Sequence, residues 1–121
     1  MIDHLGITVN DYKRSKEFYS AALHPLGYKV IAEYGDSAGL GAEGNPDFWI
    51  SAGHTTKPRV HIAFHCSKRT QVDKFHAAAL KAGGTDNGPP GIRQDYSPTY
   101  YAAFVIDPDG HNIEAVCHAE K

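Results

Sequence analysis

Cysteine is scarce in this chain: Cys66 and Cys117 stand alone, with no CxxC spacing. That excludes a disulfide framework or a zinc knuckle and leaves two buried free thiols as the expectation. No apolar run approaches the roughly 20 residues that span a bilayer. The first residues also lack the charged-then-apolar pattern of a signal peptide, so the sequence reads as cytoplasmic, with no membrane partner. A basic surplus is missing too. The formal net charge is −2, and the lysines and arginines are scattered, densest at Lys13, Arg14 and Lys16, so there is no footprint for nucleic acid. At 121 residues, 41% hydrophobic and 21% charged, one domain (1–121) with a single real core is expected. Histidine is the one abundance, at eight, which favours metal or acid–base chemistry.

Periodicity organises what is present. MIDHLGITV alternates Ile2, His4, Gly6 and Thr8 against Leu5, Ile7 and Val9, the pattern of a strand with one apolar face. A helix follows, with Asn10 or Asp11 as its cap, a stripe of Phe18, Tyr19, Ala22 and Leu23, and a stop at His24-Pro25 and Gly27. Three short strands are expected at about 28–34, 37–42 and 47–52. The pattern then restarts: RVHIAFHC is a strand, and SKRTQVDKFHAAALKAGG a helix with Ser67 as cap and Val72, Phe75, Ala79 and Leu80 as its apolar face. TDNGPPGIRQDY reads as turn-rich, with at most one short strand. TYYAAFVID and HNIEAVCHA are the closing strands, joined by DPDG. The chain is thus two βαβββ modules, about 1–53 and 58–118. This predicts an α+β fold whose two curved mixed sheets leave a cleft for a small molecule.

Three residues on separate strands have the parity to meet in that cleft. His61, Ala63 and His65 share one strand face, Asn112, Glu114 and Val116 another, and His4 begins the first strand. Glu114 stands mid-strand between Ile113 and Ala115, where an unpaired buried carboxylate is costly and a metal ion, a lysine or an arginine would compensate it. Two imidazoles and a carboxylate suit one divalent ion (Zn, Ni, Mn, Fe or Co) and leave coordination positions open.

The repeated βαβββ order, His4 in HLGITV, His61 in HIAFHC and DPDGHNIE at 107–114 resemble the vicinal oxygen chelate superfamily of glyoxalases, bleomycin-resistance proteins and dioxygenases. The resemblance spans essentially the whole chain. It implies paired modules, often a homodimer, with a divalent metal held by His4, His61 and Glu114. It also implies a lyase- or isomerase-type enzyme whose small substrate chelates the metal through its oxygens. Two alternatives stay open, a metal-free binding or sequestering protein of the bleomycin-resistance type and an Fe(II) extradiol-type dioxygenase. In four-ligand members such as glyoxalase I the last strand of module one supplies another carboxylate. Laying NPDFWIS on GHNIEAV puts Trp49 opposite Glu114, with Asp47 two residues earlier.

Around the ligands, His65 is the expected general base, and the phenol of Tyr101, with Tyr100 beside it, is expected at an oxyanion. Trp49 and Phe48 straddle their strand, so one of them should form an aromatic wall for the substrate. Phe104 belongs to the same lining, and Arg93 on the GPPGIRQDYSP segment offers a guanidinium to a carboxylate or phosphate. His111, after DPDG, is expected to do no more than cap the start of the last strand.

Overall fold

The computed structural model describes all residues, 1–121, and its element order repeats. The first half runs β1 (Leu5–Val9), α1 (Tyr12–Ala22), β2 (Lys29–Tyr34), β3 (Ser37–Ala42) and β4 (Asn45–Ala52). The second runs β5 (His61–His65), α2 (Arg69–Lys81), β6 (Thr85–Ile92), β7 (Tyr101–Ile106) and β8 (Asn112–Cys117). Asp11 caps α1 by accepting from the Arg14 backbone N–H at 3.1 Å. Ser15, Phe18, Tyr19 and Ala22 then bury one stripe, and a short 3-10 turn with Gly27 at φ 88° ends the helix. The cap of α2 is Lys68 rather than Ser67: the Gln71 side chain accepts from the Lys68 N–H at 3.0 Å. Leu80 falls off the buried stripe of α2 and is exposed, leaving Val72, Phe75 and Ala79 inside.

Each half forms its own four-stranded mixed sheet, ordered β1-β4-β3-β2 and β5-β8-β7-β6. The first strand of each module pairs in parallel with the last, and the registers correspond: Gly6 faces Trp49 as Ala63 faces Glu114. The turn-rich stretch is an eight-residue strand, β6, despite its Gly-Pro-Pro-Gly run. It lies at the sheet edge, where proline is tolerated, and its pairing with β7 is broken by two register shifts.

The helix-bearing faces of both sheets merge into one core of 21 buried residues. Tyr19 packs edge-on to Phe48 (4.9 Å between centroids) and Phe48 edge-on to Phe64 (5.4 Å), which carries the core from one module into the other. Polar contacts reinforce this junction. The Tyr19 hydroxyl donates to Asp107, whose other oxygen accepts from the backbone N–H groups of Asp109 (2.9 Å) and His111 (2.8 Å). Asp109 in turn accepts from the Asn10 N–H at 2.9 Å and from the Thr55 hydroxyl at 2.5 Å. The DPDG turn of module two is therefore anchored on the start of α1. No strand pairing joins the two sheets, and β1 and β5 are open edges.

Candidate metal and substrate site

The face of the second sheet opposite α2 carries His61, Ala63, His65, Phe104 and Glu114. Glu114 is 2% exposed in mid-strand, and both carboxylate oxygens are engaged. The Tyr100 hydroxyl donates to Oε2 at 2.5 Å, while Oε1 lies 3.0 Å from His61 Nε2. The other imidazole nitrogen of His61 is also committed: Nδ1 is 3.0 Å from the Asn112 carbonyl oxygen, which only accepts, so Nδ1 carries the proton. Nε2 then faces the carboxylate either as an imidazolium N–H or with its lone pair. In the second case two acceptors converge, and a proton on the carboxyl or a cation between them relieves the contact.

A histidine whose far nitrogen donates to a backbone carbonyl is prepared as a metal ligand. Two donors 3.0 Å apart also match ligands about 2.1 Å from one ion at roughly a right angle. The pair therefore fits a divalent metal. Burial, followed by the bond to Glu114, pushes the Tyr100 phenol up to about 12, so it stays a donor at neutral pH.

His4 does not join this pair. It precedes β1 in the other sheet, is exposed, and bonds Asp3 at 2.6 Å. Within one chain no three His, Cys, Asp or Glu side chains come together to hold a metal. Tyr101 is separated from the site as well. It follows the opposite strand parity, donates to Asp73 on α2 at 2.6 Å and lies under the Arg69 guanidinium. Tyr100 shares the parity of Ala102 and Phe104, the face of Glu114, so alternation along this segment was the signal that separates the two phenols.

Phe104 stacks on His61 (6.1 Å, 24°), and the Arg93 guanidinium lies over the Phe104 ring, 5.3 Å from its centroid. His65, two residues from His61 on the same face, stacks on His118 at 5.9 Å. It also borders a cavity of about 410 Å³ between the start of β1 and β5, walled by Leu5, Phe48, Ile62 and Phe64. Phe48 is 1% exposed and faces the core side of its sheet, so of the two straddling aromatics it is Trp49 that occupies the outer face. The Trp49 indole lies flat on Gly39, where an added Cβ would stand 2.7 Å from the ring, and stacks with Tyr34 (6.1 Å, 12°).

His111 does more than cap a strand. It is fully buried, and its Nδ1 accepts from the Val60 N–H at 3.0 Å. Polarity alone gave no sign of that.

A family model described as Glyoxalase/Bleomycin resistance protein/Dioxygenase superfamily matches residues 1–115. Among solved structures, a glyoxalase/bleomycin resistance protein from Albidiferax ferrireducens T118 is 30% identical. The alignment covers 95% of this chain and 96% of that one, with a TM-score of 0.80. A glyoxalase/bleomycin resistance protein/dioxygenase family enzyme from Burkholderia phytofirmans PsJN is 18% identical over 98% of both chains, TM-score 0.75. A glyoxylase/bleomycin resistance protein/dioxygenase domain from Frankia sp. EAN1pec is 19% identical over 97% and 96%, TM-score 0.72. The last two likenesses are of fold. No curated protein matches the sequence.

Proposed function

Because the chain belongs to the Glyoxalase/Bleomycin resistance protein/Dioxygenase superfamily, we propose that it is a metal-dependent enzyme of the lyase or isomerase type, acting on a small substrate that chelates the metal through its oxygens. The observation that carries this reading is the pair of His61 Nε2 and Glu114 Oε1, 3.0 Å apart, with the opposite side of each group already tied by Asn112 and Tyr100. Members of the superfamily usually bind a metal and often form dimers, and both properties are assigned here to one arrangement. Open edges β1 and β5 from two copies lie side by side, and His4 of the partner subunit joins His61 and Glu114 as the third ligand.

Held by His61 and Glu114, a divalent ion would supply Lewis-acid polarisation of substrate oxygens. The chain's own residues do the rest. Tyr100 keeps Oε2 of Glu114 occupied, so that only Oε1 is presented, and Phe104 stacks on His61 beside the reacting group. His65 is about 7 Å from His61 along the strand and takes the proton in this proposal. Tyr101, bonded to Asp73, has no role in it.

One feature favours the second reading, a metal-free sequestering protein: the Trp49–Tyr34 stack offers a flat ligand a platform that needs no ion. Elemental analysis of purified protein, with His61→Ala and Glu114→Ala as controls, decides between them. The enzyme reading requires one divalent ion per chain, lost in both variants. No uptake after reconstitution would leave the sequestering reading. Iron together with oxygen consumption on catechols would move the reaction to the extradiol type.

A further inference from the structure

The guanidinium of Arg93 lies over Phe104 on the face that holds His61 and Glu114, and no carboxylate of the chain pairs with it. It is nonetheless rigidly held. Nη1 donates to the Gly91 carbonyl at 3.0 Å and Nη2 to the Pro89 carbonyl at 2.7 Å, while the plane rests on the Phe104 ring. The backbone of β6 is shaped around it. A Cβ on Gly88 would stand 3.0 Å from Nη2, and one on Gly91 would stand 3.3 Å from Nη1. Gly88 also has φ at 151°, within the range that glycine alone adopts readily.

A solvated loop arginine needs none of this. A fixed planar donor with free N–H groups and no acid beside it is what recognition of an oxyanion requires. Phe104, on which Arg93 rests, also stacks on His61, so one ring touches both the cation and a proposed metal ligand.

We propose that Arg93 determines substrate specificity, selecting a substrate that carries a carboxylate or phosphate in addition to its metal-chelating oxygens. The proposal rests on the site reading above, and the test separates the two. Catechol and protocatechuate offer the same vicinal oxygens, and only the second adds a carboxylate. Their affinities for metal-loaded wild-type protein are measured by titration calorimetry, with phosphate as a competing oxyanion.

Wild type is expected to bind protocatechuate at least about ten-fold more tightly than catechol, in line with a charge-assisted hydrogen bond. Phosphate should compete with protocatechuate alone. Arg93→Met should abolish the preference without changing catechol affinity or metal content. Arg93→Lys, which keeps the charge but loses the fork, should retain only part of it; it also guards against collapse of the loop in the Met variant. Equal affinities in wild type, or a preference that survives Arg93→Met, would overturn the role of Arg93 and leave the site reading standing. Failure of wild type to take up metal or bind either compound would overturn both.

Discussion

The two modules share an element order and a strand register, yet their outer faces have diverged completely. In module one the aligned positions across β1, β4 and β3 are Gly6, Trp49 and Gly39; in module two the same positions across β5, β8 and β7 are Ala63, Glu114 and Phe104. One set is a single indole laid on Gly39, with Gly6 beside the Trp49 backbone. The other is a buried carboxylate with an aromatic neighbour, a histidine 3.0 Å away at one end and a fixed guanidinium beyond. The inner faces diverge far less. Ile7, Val9, Phe48 and Ile50 on one side and Phe64, Ile113 and Ala115 on the other are all buried apolar residues of one core. Stability depends on the inner face, which constrains it to apolar residues of fitting volume. The outer face is free to diverge: module one carries the Trp49–Tyr34 stack and module two the buried Glu114 beside His61.

The largest way to test that division is to strike the same aligned position in both modules. Glu114→Gln should weaken metal binding about a thousand-fold, roughly 4 kcal/mol, while Trp49→Phe leaves it within two-fold; metal titration of both variants reads this directly. A metal affinity equally sensitive to both would end the distinction between the modules. Next comes the junction between them. Asp107→Ala strands the Tyr19 hydroxyl and two backbone N–H groups in a buried site and should cost about 3 kcal/mol, measured by denaturant unfolding; a loss below about 1 kcal/mol would mean that the turn does not hold the modules together.

Gly39→Ala sharpens the comparison from the first side. The new methyl would stand 2.7 Å from the indole, so a cost of about 2 kcal/mol is expected, together with a shift in Trp49 fluorescence. The smallest effect is a pH dependence confined to module one. Burial and the bond to Glu33 push the Tyr12 phenol up to about 12. The folded state favours the neutral phenol, so its contribution is complete below the ordinary tyrosine value and is lost as pH rises through 12. Glu33→Gln should bring this phenolate transition to lower pH in an absorbance titration.

Much of this was legible in the sequence for identifiable reasons. Two-residue alternation and capped helical stripes gave both modules, and Glu114 betrayed itself as a charge amid apolar neighbours in a strand. The aligned position of Trp49 followed from the repeat and is matched by the observed register. β6 was obscured because its glycines and prolines carry turn signals, while its pairing depends on an edge position that only the tertiary structure creates. The choice between Tyr100 and Tyr101 turned on where strand parity is counted from. His111 and Asp107 owe their roles to backbone N–H groups brought in by folding, which side-chain patterns do not report. His4 has the right parity but stands at the start of the first sheet, and no strand pairing brings it to the His61–Glu114 pair within one chain.

That separation has a genetic consequence if the site is completed by a second copy. A chain lacking His4 and a chain lacking Glu114 would each be dead alone, because every site in either homodimer misses one ligand. Mixed together, they would assemble hybrids in which both defects fall in the same site and the other site is intact. Two inactive alleles would then complement each other to about half of wild-type activity per hybrid, an outcome unavailable to an enzyme whose ligands all come from one chain.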